Sequence, residues 1–159
     1  MTKDQIIESI RKAFCNVKLG DGIGLWEAQA IDDYQSEDVQ RKKRQIDEKE
    51  DWPSFTPDVL QKCHSSLSFF DANGMRFHLP AFIIKSLKRE VDDPVFHLTQ
   101  LDDYAMSKLA TLSDDQIKAV INYLAWCLEN EDFEYEHPAI QRALDEYWTP
   151  RTNKPHHVN

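Results

Sequence analysis

The apolar positions of this chain gather in one central run from Leu67 to Leu87, and the segments on either side are more polar. Phe69, Phe70, Phe77 and Phe82, four of the eight phenylalanines, fall inside it. The run reads as the buried spine of a small helical domain. Asp71 suits an N-cap, because its carboxylate can accept backbone N–H groups two or three residues on. Asn73 and Gly74 make a loose first turn. Pro80 lacks an N–H, and its ring would crowd the carbonyl of Arg76. Either a short helix ends near Leu79 and a second starts at Pro80, or one helix kinks there. Pro80 at a first helical position favours the former. Beyond it, Leu79, Phe82, Ile83, Leu87 and Val91 recur at helical spacing with Lys85, Lys88 and Arg89 between them, the pattern of an amphipathic helix.

The flanks carry their own punctuation. Thr2 and Gln5 form a capping box before Ile6, Ile7, Ile10 and Phe14, which predicts a helix over residues 3–15. Residues 16–24, with Gly20, Gly22 and Gly24, read as a flexible connector. The glycine spacing lacks the preceding strand that a dinucleotide-binding turn needs. Residues 25–34 form a second helix. Ser36 caps a third over 37–50, in which Glu37–Arg41 and Asp38–Lys42 are spaced for side-chain pairing. Pro53 and Pro57 interrupt the chain, and residues 58–64 form a short helix leading into the spine. Residues 95–98 are apolar, and 101–112 are either helical or irregular. Ser113 and Gln116 form a second capping box, opening a helix that carries Ile117, Val120, Ile121, Leu124 and Leu128 on one face. After an acidic connector, Pro138 starts a last helix and Pro150 ends it.

The expected fold is mainly α: a compact, irregular helical domain of about five to seven helices around a central Pro-broken helix. Residues 1–150 form a single domain, followed by a flexible C-terminal tail, residues 151–159. A chain of 159 residues fits one domain with a real core.

Charge narrows the choice of partner. The net charge is −9, which opposes nucleic-acid binding, since phosphate neutralisation needs a basic face. The same charge suits a basic protein partner. Cys15, Cys63 and Cys127 form no Cys-x-x-Cys pair, so three free thiols in a reducing compartment are expected. The polar start carries no secretory signal, and no apolar run approaches the ~20 residues needed to span a bilayer. A cytoplasmic protein without membrane attachment is the expectation.

Candidate chemistry is sparse. Arg76 and His78 lie beside Pro80, where a broken helix would free backbone carbonyls, and they are the candidate binding residues; the plainer reading makes Arg76 surface and His78 a cap. Asp47 with Asp51, and Glu129 with Asp132, could hold a divalent metal if they sat on facing helices. His64 beside Cys63 is no thiol–imidazole pair, since neighbours on a helix point apart. His156 and His157 alone make a weak metal site. No catalytic residue and no cofactor is expected.

Several of these pieces together resemble an uncharacterised family of small bacterial proteins, one of the domains of unknown function. The likeness rests on Leu67, Phe69, Phe70 and Asp71; on the segment from Arg76 to Phe82 around Leu79, Pro80 and Ala81; on Leu112, Ser113 and Gln116 with Ile121 and Leu124; and on Tyr147 and Trp148. It covers most of residues 3–149. His78 and Phe82 stand where that pattern tends to have tyrosine. The resemblance implies a mostly α domain and carries no activity.

The functional expectation is a small acidic protein acting as a non-enzymatic protein–protein interaction module. One concrete form is an immunity-type protein that blocks a basic toxin. The alternative is a divalent-metal-dependent hydrolase using Asp47, Asp51, Glu129 and Asp132.

Overall fold

A computed structural model describes residues 1–152, all helix and turn with no strand among them. Nine helices are present among the described residues, above the expected five to seven. They are α1 (Lys3–Ala13), α2 (Leu25–Asp32), α3 (Glu37–Ile46), α4 (Pro57–Lys62), α5 (Ala72–Leu87), α6 (Val95–Thr99), α7 (Asp103–Leu109), α8 (Asp114–Leu128) and α9 (His137–Ala143). The last runs on through a π-helical stretch, Leu144–Trp148, and a final turn, Thr149–Thr152. The additional helices are α6 and α7, the segment whose spacing left helix and irregular chain equally open.

The spine is one helix, not two. α5 continues from Ala72 to Leu87 with Pro80 inside it. Pro80 removes one N–H from the helical ladder, but Ala81, Phe82, Ile83 and Ile84 are all buried. At 100° per residue four consecutive positions cover the whole circumference, so α5 is enclosed on every side. Breaking it would expose this surface, and burial outweighs local propensity. The second half of α5 is accordingly not the amphipathic helix its lysines suggested.

Around α5, α1 packs on both α5 and α8, α2 on α3, α7 on α5, and α8 on α9. Buried indoles tie helix ends together. Trp52 donates Nε1–H to the Phe14 carbonyl at the end of α1 (2.9 Å), and Trp148 donates to the Leu98 carbonyl in α6 (2.8 Å). Each satisfies a C-terminal carbonyl that has no partner within its own helix.

The connector between α1 and α2 is seated, not loose. Asp71 Oδ1 accepts the N–H of Gly74 in its expected cap and also the N–H of Ile23 (2.8 and 3.0 Å). A Cβ on Gly74 would come within 2.5 Å of the Ile23 carbonyl. The glycine therefore allows the loop to lie on the start of α5.

α3 ends at Ile46, four residues before its expected end, because Asp47 is recruited elsewhere. The Asp47 carboxylate accepts the N–H groups of Trp26 and Glu27 (2.8 and 3.0 Å), the orphan donors of α2. Glu27, 3% exposed, receives the Arg44 guanidinium in a fork at 2.6–3.0 Å. The start of α2 is thus pinned twice to the end of α3. On the outer face of α3, Arg41 pairs with Asp38, one residue nearer than the Glu37 expected from spacing.

At the C-terminus, Pro150 does not end the helix, and Arg151 is not part of a loose tail. Its guanidinium donates to the Tyr147 hydroxyl (2.8 Å) and the Leu109 carbonyl (3.0 Å) and stacks over Tyr147 and Trp148. The rest of the expected tail, including His156 and His157, lies outside the described residues.

Candidate functional site

Of the two candidates beside Pro80, His78 lies in the core and Arg76 at its edge. His78 is fully buried, and its Nδ1 lies 2.6 Å from the Gly74 carbonyl. A carbonyl only accepts, so Nδ1 carries the proton and Nε2 is bare. The ring stacks parallel to Phe70 at 4.3 Å and meets Phe77 and Phe55. Burial pushes its pKa down to about 4. His78 is therefore a neutral aromatic core residue whose Nε2 has no partner among the described residues. Arg76 is half-buried, with one nitrogen 3.4 Å from Asn73 Oδ1. The two side chains do not meet in one site.

The four carboxylates named for metal binding do not converge either. Asp47 is buried in the cap of α2, Asp51 and Glu129 are exposed, and Asp132 pairs with Arg89 at 3.1 Å. Among the described residues no group of three or more His, Cys, Asp or Glu side chains is placed to hold a metal ion. Cys63 and Cys127 are buried, and desolvation pushes both thiols up to about 12. His64 turns away from Cys63 to the Asp92 carbonyl at 3.1 Å.

A more exposed arrangement lies on α6 and α7. Asp93 accepts the N–H of Val95 at the start of α6 (3.0 Å), and Asp102 accepts the N–H of Ala105 to cap α7 (2.8 Å). α6 buries Val95 and Leu98 and turns Phe96 outward; α7 buries Lys108 and Leu109 and turns Tyr104 outward. Phe96 and Tyr104 are 64% and 62% exposed and border the same cleft.

Between them is a cleft of about 140 Å³, lined also by Met75, His97, Asp102 and Lys108. Its floor is rigid. The Tyr104 hydroxyl and the Lys108 ammonium both donate to the Ser68 carbonyl at 2.6 Å, and Lys108 Nζ lies 4.1 Å from the Tyr104 ring centre. Ser68 ends a 3₁₀ helix (His64–Ser68), so its carbonyl needs partners from elsewhere. Burial lowers the Lys108 pKa. Burial, with positive charge from Lys108 and His64, pushes His97 down to about 4. Exposed Asp92 and Asp93 precede α6, and exposed Asp102 caps α7 with Asp103 as its first residue, so each aromatic follows a pair of acids.

The spacing rules missed this face, because outward aromatics and inward ones share the same periodicity. The repeated signal that could have marked it is the doubled aspartate just ahead of Phe96 and of Tyr104.

Residues 2–152 match a protein family described as a family of unknown function (DUF6714), and the chain belongs to it. No curated protein and no solved structure matches the chain. No helix among the described residues is long and apolar enough to cross a membrane.

Proposed function

We propose that this member of the family is a non-enzymatic protein-interaction module that binds a basic protein through the α6–α7 face. The observation that carries the reading is the pair of outward aromatics, Phe96 and Tyr104, held over a rigid cleft and preceded by paired acids. Exposed aromatics that lose little conformational freedom are what binding hot spots are made of. The surrounding carboxylates and the net charge of −9 steer a cationic partner toward them, and its arginines can stack on the rings. An immunity-type protein that masks a basic toxin is one concrete form. The groups most suited to covalent chemistry, His78, Cys63 and Cys127, are buried in their neutral forms, which supports binding over catalysis.

Affinity capture from the native host tests this with three baits: the wild-type chain, the Phe96→Ala/Tyr104→Ala double variant, and Tyr135→Ala as a control at another exposed aromatic. A partner retained by wild type and by Tyr135→Ala, lost from the double variant and eluted by salt, supports the reading. Equal retention by all three baits contradicts it.

A further inference from the structure

Lys108, on the floor of the α6–α7 cleft, carries a buried charge without a counter-ion. The residue is 6% exposed, and no ion pair among the described residues includes it. Asp102 acts on it only from beyond ion-pair distance. The ammonium has three N–H donors. One bonds the Ser68 carbonyl at 2.6 Å, while the contact with the Leu67 carbonyl is stretched to 3.4 Å. A cation taken out of water is costly until an anion stands beside it, and two carbonyls meet that need only in part.

Two more donors line the same cleft. His97 is held neutral, so one of its ring nitrogens carries a proton, and Gln100 has its amide N–H groups. Neither side chain has a hydrogen-bond partner among the described residues. The floor therefore suits an anion. The walls, Phe96, Tyr104 and Met75, suit an apolar group. The rim, with Asp92, Asp93, Asp102 and Asp103, suits cations. An occupant that satisfies all three carries a carboxylate, an apolar side chain and neighbouring basic residues.

We propose that the cleft captures the C-terminus of its basic partner, an apolar last residue whose free carboxylate meets Lys108. The inference rests on the reading of α6–α7 as the binding face and names what enters it. The terminal carboxylate takes the spare Lys108 N–H with the donors of His97 and Gln100. The last side chain packs between Phe96 and Tyr104, and basic residues ahead of it meet the rim acids. Capture of a chain terminus is a recurring mode of peptide recognition. An aspartate or glutamate side chain would bring the carboxylate but leave the rings uncovered. A terminus brings both on one residue. The size agrees: a cavity of about 150 Å³ holds the roughly six heavy atoms of benzene, as many as a leucine side chain and two carboxylate oxygens. Placing one buried cation under an acidic rim also sets the register of the partner, since a shifted chain would put a basic residue on Lys108.

Calorimetric titration of the full chain with three N-acetylated tetrapeptides provides the test. The first is arginine-lysine-alanine-leucine as the free acid, the second is its C-terminal amide, and the third ends in aspartate amide. The expected result is saturable binding of the free acid, with the other two roughly tenfold weaker or worse. Net charge alone predicts the reverse order, because the amide is the more cationic peptide and the chain carries −9. Lys108→Met, its fold checked by a thermal melt, should bind acid and amide alike; if it does not fold, the wild-type comparison decides alone. Acid and amide bound equally by wild type, and both lost from the Phe96→Ala/Tyr104→Ala variant, would overturn the capture of a carboxylate while leaving the α6–α7 face standing. Binding that survives in that double variant would remove the face as well. Aspartate amide bound as tightly as the free acid, or no saturation by the free acid up to about 10 mM, would also overturn the inference.

Discussion

The carboxylate of Asp47 occupies the space that a side chain on Gly24 would take, and from there it caps α2. The helix begins after a residue that cannot cap it, and the cap arrives from more than twenty positions away in sequence. This relationship makes the two residues energetically one unit. Asp47→Ala is expected to cost about 1–2 kcal/mol, the usual loss of an N-cap. Gly24→Ala should cost at least as much, by evicting the carboxylate. The double variant should cost less than the two single losses combined, because both remove the same interaction. Urea denaturation of the four proteins measures this, and strict additivity would contradict the shared cap.

Buried histidine makes the fold sensitive to acid. His78 titrates near 4 in the folded chain and near its ordinary 6.5 once unfolded. Below 6.5 the unfolded chain takes up the proton first, so stability is full above that value and falls as pH drops from about 6.5 toward about 4. The loss approaches about 3 kcal/mol from His78. His97, shifted the same way, adds to it. Asp47, raised by burial, acts in the opposite sense: its contribution is present at low pH and lost as pH rises. Chemical denaturation between pH 4.5 and 7.5 should show the net decline, and His78→Phe should flatten it. An unchanged slope in that variant would contradict the assignment.

The thiols should separate into two classes. Cys15 is exposed, whereas Cys63 and Cys127 are buried and held protonated. A thiol-specific reagent at neutral pH should label one cysteine rapidly in the native chain and all three only after unfolding. Rapid labelling of more than one would show that the core is open.

Lys108 should matter for folding as well as for the cleft. Lys108→Met keeps the buried stem but removes one of the two donors to the Ser68 carbonyl. The expected loss is roughly 1–2 kcal/mol, with Tyr104→Phe costing about the same. Thermal melts of both variants check this; a neutral Lys108→Met would mean that its ammonium does not hold α7 to the 3₁₀ helix.

Much of the fold was legible in the chain. The caps at Thr2, Ser36, Asp71 and Ser113 stand where short-range rules place them, and the run from Phe69 to Leu87 is largely interior. What the spacing could not show depends on distant partners. Pro80 passes through α5 because the surroundings enclose that helix on all sides, a property no local window contains. Asp47 was read as one of a row of acids on a helix, yet a helix twenty residues earlier claims it. His78 looked available because Pro80 suggested free carbonyls, whereas its Nδ1–H goes to the Gly74 carbonyl within the unbroken helix. Phe96 and Tyr104 were legible as aromatics but not as outward ones, and Tyr104 is held by Ser68 and Lys108, which only the tertiary contacts bring together.

The proposal that the α6–α7 face is the binding surface is most directly tested by photo-crosslinking in the native host. The chain carries a photoreactive phenylalanine analogue at position 96, at position 104, or at the control position 135. A common adduct of discrete mass at 96 and 104 and its absence at 135 is the predicted result. No adduct at 96 and 104, or the same adduct at all three positions, would contradict it.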